Sequence, residues 1–220
     1  MRINMTKIKI CGLKRDCDVD FVNEACPEYV GFVFAHSRRE ISAEAAKRLR
    51  GRLKKGIRAV GVFVDEEEER IAWLLKEGII DAVQLHGGED AAYVARLKEM
   101  TGCEVIKALC PGNLAGDEGF RARRKGTDVC EEYIRAGTDY LLFDSIRPMQ
   151  AGGTGQTFDW SLIPKGNYPF FLAGGLYAGN AAEAIRAVSP YAIDVSSGAE
   201  TNGVKDKEKI LEIVRRVRNE

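Results

Sequence analysis

The segment RAVGVFVDEEEERIAWLLKEGIIDAVQLHG (residues 58–87) decides the fold, because it joins two strand-like runs through a single helical pattern. The runs at residues 58–64 and 82–85 are almost continuously apolar, which is typical of parallel strands buried on both faces. Between them, consecutive glutamates suit the positive end of a helix dipole, and Ile71 and Leu74 mark the buried face of that helix. The segment therefore predicts a strand–helix–strand unit with two parallel strands.

Similar units follow one another along most of the chain. Ser42 is expected to cap the helix after the second strand, and Trp73 and Met100, at helical spacing, are expected in the core. Eight strands alternating with helices in 220 residues predict an α/β protein with one domain, a (β/α)8 TIM barrel over residues 1–220. A doubly wound open sheet is the alternative. The predicted strands are residues 7–10, 29–34, 58–64, 82–85, 104–109, 140–143, 170–173 and 192–195.

The composition of the chain argues against several classes of function. Lys+Arg and Asp+Glu number 33 each, so a net charge of zero gives no electrostatic reason to expect nucleic acid or an anionic membrane as partner. No apolar run approaches the roughly 20 residues of a membrane helix, and the N-terminus lacks a signal-peptide pattern, so we expect a cytoplasmic protein. The six cysteines form no C-x-x-C pair, and we expect reduced thiols and no metal site.

The residues that follow the predicted strands are the candidates for a functional site, because such barrels carry their active site at the C-terminal ends of the strands. Glycines after strands 7 and 8, together with GGTG at residues 152–155, indicate a phosphate site built from backbone N–H groups. The candidates are Cys11, Arg39, Gln84, His86, Asp144, Gly174, Gly175, Ser196, Ser197 and Gly198.

Several of these residues also have a structural interpretation, which the residues alone leave open. Cys11 by itself is compatible with a small buried core thiol. Asp144 can cap the turn after strand 6, although a carboxylate that ends an apolar run is costly to bury without partners. Gln84 and His86 can be structural residues with satisfied hydrogen bonds, and Arg39 can be a surface residue.

Nine short segments spread over nearly the whole chain form a recognisable set. They are KICGL (9–13), GFVF (31–34), SRREI (37–41), VGVF (60–63), VQLHG (83–87), LLFDS (141–145), GGTGQTFDW (152–160), LAGGL (172–176) and DVSSG (194–198). In this order they resemble the phosphoribosylanthranilate isomerases of tryptophan biosynthesis. The combination of ICG with the GGTGQTFDW segment makes the resemblance specific.

The resemblance implies a (β/α)8 barrel that performs an Amadori-type rearrangement of a phosphosugar, N-(5-phosphoribosyl)anthranilate, without metal or organic cofactor. It implies that Cys11 is the general base and Asp144 the general acid. It also implies that Arg39 binds the substrate carboxylate and that Asp194 lies near the ribose hydroxyls. The phosphate site would comprise Gly174, Gly175, Ser196, Ser197 and Gly198. The substrate is the expected partner, and the chain is expected to be a monomer or a homodimer.

The chain departs from the family pattern in two places. The family often has proline where Arg38 stands, so Arg38 is a second candidate for the carboxylate contact beside Arg39. Residues 111–137 look longer than the usual connection, and we expect an extended loop there, followed by a helix around residues 129–135.

The reaction makes demands on both reactive groups. A free aspartic acid has a pKa of about 3.9 and a free thiol one of about 8.5, so Asp144 must be kept protonated and Cys11 must gain thiolate character. Lys9, Lys14 and Arg15 are the cations nearest to Cys11 in the sequence.

Two classes of function compete with this one, another phosphosugar barrel enzyme and a barrel without catalytic activity. A sugar isomerase of histidine biosynthesis would favour two carboxylates, and an indole-glycerol-phosphate synthase usually carries a catalytic lysine at a strand end. Cys11 after strand 1 argues against both. A non-catalytic phosphate-binding barrel is the alternative from another class, and the presence of both Cys11 and Asp144 argues against it.

Overall fold

A computed structural model describes residues 5–114, 126–145 and 157–220 of the chain. Its barrel strands are parallel, hydrogen-bonded in sequence order from β1 to β8, and closed by the pairing of β8 with β1. This confirms the predicted barrel against the open sheet, and every predicted strand end lies within one residue of the observed one. The strands are β1 (Lys7–Cys11), β2 (Tyr29–Val33), β3 (Arg58–Phe63), β4 (Ala82–Leu85), β5 (Glu104–Leu109), β6 (Tyr140–Phe143), β7 (Phe170–Leu172) and β8 (Ala192–Val195).

Helices follow the strands, and Ser42 caps the second of them by accepting a hydrogen bond from the Ala45 N–H, as expected. The helix predicted around residues 129–135 is present, whereas the loop at 115–125 and the GGTG segment lie outside the described residues. No helix within the described ranges is long and apolar enough to span a bilayer. The helices are α1 (Asp16–Ala25), α2 (Ala43–Arg50), α3 (Glu68–Lys76), α4 (Ala91–Thr101), α5 (Pro111–Leu114), α6 (Gly126–Arg135), α7 (Ala181–Val188) and α8 (Lys207–Arg218), with short 3-10 turns at Trp160–Leu162 and Ser197–Ala199.

The expectation that Trp73 and Met100 belong to the core is wrong. Their side chains are 47% and 46% exposed. Trp73 comes two residues after the buried Ile71, and about 100° per residue turns it to the other side of α3. Met100 lies in the last turn of α4, beyond the buried Leu97.

The lower, N-terminal part of the barrel interior is aromatic. Phe171 packs edge-on against Tyr29 and against Tyr140, with ring centroids 5.4 Å apart in both pairs. The hydroxyl of Tyr191 lies 3.0 Å from the hydroxyls of both tyrosines. Because side chains alternate between the two faces of a strand, the next inward-facing layer lies two residues further along each strand. There, Lys9 and Asp194 replace the apolar side chains.

A short hairpin after β8, which the sequence interpretation missed, returns the chain to the barrel mouth. It consists of β9 (Glu200–Thr201) and β10 (Val204–Lys205), which pair antiparallel. Its two turn residues both have left-handed φ values, 51° at Asn202 and 81° at Gly203. Asn-Gly is the dipeptide that favours such a turn. The hairpin buries the side chains of Glu200 and Lys205.

Candidate active site

Cys11 ends β1, and its thiol is buried at the mouth of the barrel. The residue is 7% exposed. Its neighbour on β2 is Gly31, and a Cβ added there would lie 2.6 Å from Sγ of Cys11. The glycine therefore makes the room that the thiol occupies on the inner face of the barrel.

Lys9 and Asp194 form a buried ion pair next to this thiol. Lys9 lies two residues before Cys11, on the same face of β1, and its Nζ is 2.9 Å from Oδ2 of Asp194. Burial alone would lower the pKa of Lys9, but Asp194 and Cys11 outweigh burial and raise it, so the ammonium stays charged. Burial raises the pKa of the Cys11 thiol, and the charge and hydrogen bond of Lys9 oppose that rise.

The two other cations near Cys11 in the sequence face elsewhere. Lys14 donates a hydrogen bond from Nζ to the backbone carbonyl of Arg38, at 3.0 Å. Arg15 forms an ion pair with Asp18, with Nη2 and Oδ1 2.6 Å apart. Of the three candidates, the structure therefore brings only Lys9 into contact with the thiol.

Lys205 supplies a second buried ammonium group near Cys11, and sequence reasoning missed it. Its Nζ lies 2.7 Å from Oε1 of Glu200 and 2.9 Å from the carbonyl oxygen of Ser196. Burial lowers the pKa of Lys205, and Glu200 opposes this effect. The charge of Lys205, like that of Lys9, acts to lower the pKa of the Cys11 thiol.

Asp144 follows β6 and faces His86 across the mouth. His86 Nε2 lies 3.8 Å from Asp144 Oδ2, which is too long for a hydrogen bond. The side-chain amide of Gln84 lies 2.9 Å from Nδ1 of His86, so the two side chains form a hydrogen bond at that ring nitrogen. Burial lowers the pKa of His86 and thereby favours the neutral ring. The structure thus brings together three of the predicted residues, Gln84, His86 and Asp144.

The stem of Arg39 lies over Gly12, the residue that follows Cys11. Gly12 has φ of 89°, and a Cβ there would lie 2.5 Å from Cδ of Arg39. The guanidinium is paired with Glu200, Nε to Oε1 at 2.7 Å and Nη2 to Oε2 at 3.0 Å. Arg38 also reaches Glu200, with Nη2 2.9 Å from Oε2, but half of its side chain is exposed. Arg39 is therefore the arginine whose stem reaches the residue beside the thiol.

The loops after β7 and β8 meet at the mouth because they contain glycine. Gly174 and Gly175 have left-handed φ values of 86° and 64°. A Cβ on Gly198 would overlap the carbonyl oxygen of Leu176, so a larger residue there would push the two loops apart. The two loops therefore approach each other closely at the mouth, and glycine lets a backbone approach an anion.

A cavity opens between these loops and α8. Ser196 donates a hydrogen bond from Oγ to the carbonyl oxygen of Cys11, at 3.2 Å, so its side chain serves the end of β1. Of the two serines, Ser197 lines the cavity. The lining residues are Gly175, Tyr177, Ala178, Ser197, Gly198, Lys209 and Glu212.

Known proteins resemble this chain over nearly its whole length. The family model described as N-(5′-phosphoribosyl)anthranilate (PRA) isomerase matches residues 8–216. The N-(5′-phosphoribosyl)anthranilate isomerase of Endomicrobium trichonymphae is 46% identical over 215 residues, covering 98% of this chain and 100% of the relative. That of Acetivibrio thermocellus is 41% identical over 218 residues, covering 97% and 96%.

Solved structures agree with the sequence matches. Phosphoribosyl anthranilate isomerase from Thermotoga maritima has a TM-score of 0.79 and 33% identity, with 98% of this chain and 100% of that chain covered. A phosphoribosyl anthranilate isomerase in complex with reduced 1-(o-carboxyphenylamino)-1-deoxyribulose 5-phosphate has a TM-score of 0.77 and 32% identity, with 98% and 100% covered. By sequence and by fold, this chain belongs to the N-(5′-phosphoribosyl)anthranilate isomerase family.

Proposed function

We propose that this chain converts N-(5-phosphoribosyl)anthranilate into 1-(2-carboxyphenylamino)-1-deoxy-D-ribulose 5-phosphate in tryptophan biosynthesis, with Cys11 as general base and Asp144 as general acid. The observation that carries the proposal is the buried Cys11 thiol in the electrostatic field of two buried ammonium groups, Lys9 and Lys205. A thiol that only fills space needs no such cations, whereas a reactive thiolate is stabilised by them. The complex of a related isomerase with a reduced sugar phosphate supports the substrate class.

The acid step opens the furanose ring. Asp144 gives its proton to the ring oxygen while the C1′–O bond breaks, which leaves a protonated imine at C1′. The neutral ring of His86 faces Asp144, so His86 adds no positive charge that would favour the ionised carboxylate. The Gln84–His86 contact holds the ring in this orientation.

The base step moves a proton between adjacent carbons. The Cys11 thiolate takes the proton from C2′, and the electron pair of the C–H bond neutralises the imine to give an enolamine, which tautomerises to the ketone. Thiolate character requires positive charge nearby. Lys9 and Lys205 supply this charge, but burial and the negative charge of Asp194 outweigh them and keep the pKa of Cys11 above its ordinary value, so the thiolate is the minor, reactive form.

The two ends of the substrate would be held on separate loops. Gly174, Gly175 and the segment from Ser196 to Gly198 would bind the phosphate through backbone N–H groups and the Ser197 hydroxyl. Arg39 would bind the carboxylate with its planar fork. Asp194 would meet the ribose hydroxyls, since its Oδ1 is buried without a hydrogen-bond partner among the described residues.

A purified-protein assay with substrate generated in situ tests the proposal. We expect formation of the ribulose 5-phosphate product, which is monitored through the loss of anthranilate fluorescence. Turnover of only a histidine-pathway aminoimidazole substrate would favour the competing sugar isomerase. Binding of phosphate with no turnover of either substrate would favour the non-catalytic barrel.

The oligomeric state and the cytoplasmic location stay predictions. One related structure consists of monomers generated from a dimeric isomerase of Thermotoga maritima, so the fold is compatible with both predicted states. Light scattering coupled to gel filtration distinguishes a monomer from a homodimer.

A further inference from the structure

Glu200 is a buried carboxylate that contacts three cationic side chains. It begins β9, directly after the turn at Ser197–Ala199, and is 7% exposed. Its oxygens accept hydrogen bonds from Arg39, from Arg38 and from Lys205, at distances between 2.7 and 3.0 Å. Burial acts to raise the pKa of Glu200, but Arg39 and Lys205 outweigh burial and lower it, so the carboxylate is ionised.

The contact between Glu200 and Arg39 uses only one edge of the guanidinium. A guanidinium presents five N–H groups in a rigid plane, and a carboxylate can bind along the Nε/Nη2 edge or along the Nη1/Nη2 edge. Glu200 takes the Nε/Nη2 edge, with distances of 2.7 Å and 3.0 Å. No described residue accepts a hydrogen bond from Nη1 of Arg39, and 12% of this side chain is exposed.

We propose that Glu200 is a positioning residue that holds Arg39 by its Nε/Nη2 edge and so presents the Nη1/Nη2 edge to the carboxylate of the substrate. The inference rests on the proposed function, in which Arg39 meets that carboxylate. The stem of Arg39 is already confined by Gly12, but stem packing leaves rotation about the last bonds free. The bidentate contact with Glu200 removes that rotation before the substrate arrives.

Glu200 is itself held in place from the other side. Lys205 binds Oε1 of Glu200 and the carbonyl oxygen of Ser196 at once. Ser196 belongs to the loop proposed to bind the phosphate. Glu200 and Lys205 therefore link this loop to Arg39, which would bind the carboxylate at the other end of the substrate. The network therefore fixes the distance between the carboxylate site and the phosphate site, which favours ligands of one length.

A double-mutant cycle of Glu200→Gln with Arg39→Met tests this role. Calorimetry gives the affinity of each variant for the reduced product analogue and for inorganic phosphate. Interaction energies of about 1–2 kcal/mol, within the range usual for coupled neighbours, correspond to about fivefold to thirtyfold in affinity, and we expect Glu200→Gln to weaken analogue binding by this factor in the wild-type background. In the Arg39→Met background the same change should have an effect below about twofold, since the residue it acts through is gone.

Glu104→Gln is the matched control. Glu104 also forms a two-oxygen ion pair with an arginine, Arg58, at 2.7 and 2.8 Å, but at the opposite, N-terminal end of the barrel. Glu104→Gln should therefore leave the affinity for the product analogue unchanged. If Glu200→Gln does not fold, Glu200→Asp keeps the charge, shortens the reach, and should show the same dependence on Arg39.

The outcomes separate this inference from the proposed function. Equal losses from the Glu200 change in both backgrounds would overturn the positioning role, because Glu200 would then act without Arg39. No loss from the Glu200 change in the wild-type background would overturn it as well. No loss from Arg39→Met alone would instead remove Arg39 from the proposed function, and the inference would fail with it.

Discussion

Lys9 and Asp194 pair across the seam between β1 and β8, with Nζ 2.9 Å from Oδ2 and neither side chain more than 8% exposed. A buried ion pair adds little net stability, because the cost of removing two charges from water offsets their attraction. The position of the pair suggests an effect on Cys11 instead of a contribution to stability. The pair places a cation and an anion near Cys11, where each shifts the pKa of the thiol in the opposite direction.

Substitutions in this pair should therefore move the Cys11 thiol in opposite directions. Lys9→Met removes the charge that stabilises the thiolate and should raise the pKa, whereas Asp194→Asn removes the opposing charge and should lower it. Mass spectrometry measures the rate of iodoacetamide alkylation at Cys11 as a function of pH. The midpoint of this pH dependence gives the pKa of the thiol in each protein. Shifts of the same sign in the two variants would contradict the account.

Arg39→Met should weaken ligands that carry the carboxylate and spare those that do not. A charge-assisted hydrogen bond is worth about 1.5–3 kcal/mol, so we expect a loss of about tenfold to a hundredfold for the product analogue. Inorganic phosphate should bind almost as in the wild type. Arg38→Met, which removes a half-exposed arginine on the same carboxylate, is the control. A larger loss in that variant would pass the role to Arg38.

Gly198→Ala should weaken the analogue and phosphate together. The added Cβ would overlap the carbonyl oxygen of Leu176, and overpacking of about 1–3 kcal/mol would push the two loops apart. We expect both ligands to lose about fivefold to a hundredfold in affinity. Gly51→Ala is the control, because the nearest atom to a Cβ there is 3.5 Å away. Unchanged phosphate binding in Gly198→Ala would argue against the phosphate site.

The sequence predicted the barrel well because its strands are buried on both faces. Such strands read as apolar runs with clear ends, and β4, β5, β6 and β8 have the predicted bounds. The orientation of Lys9 was also within reach, since a residue two positions before Cys11 shares its face of the strand. Trp73 is exposed, because helical spacing does not say which face of a helix the barrel covers.

Glu200 and Lys205 were missed for a physical reason. In the sequence they read as two charges in a polar loop, and their burial depends on a hairpin of two residues per strand. The signal that could have found the hairpin is Asn202-Gly203, the dipeptide for a tight turn with two left-handed residues. The orientation of the His86 ring depends on its contact with Gln84, a distance that no sequence pattern supplies.

Asp144→Asn should lower kcat far more than it changes binding. Asparagine is close to isosteric with aspartic acid but cannot deliver an acidic proton to the ring oxygen. General acid catalysis contributes about 10²–10⁴-fold, and we expect a loss of kcat in that range. Steady-state kinetics and calorimetry with the reduced product analogue measure the two effects separately. A wild-type kcat would exclude Asp144 as the general acid.

The most direct test of the proposed mechanism is the turnover of Cys11→Ser, measured together with the affinity of this variant for the reduced product analogue. Serine is similar in size, but its hydroxyl is a far poorer base at neutral pH, even beside Lys9 and Lys205. We expect a fall in kcat of about 10²–10⁴-fold with affinity changed by less than about twofold, since serine keeps the size of the side chain. Turnover near the wild-type rate in a folded Cys11→Ser protein would contradict the proposed mechanism.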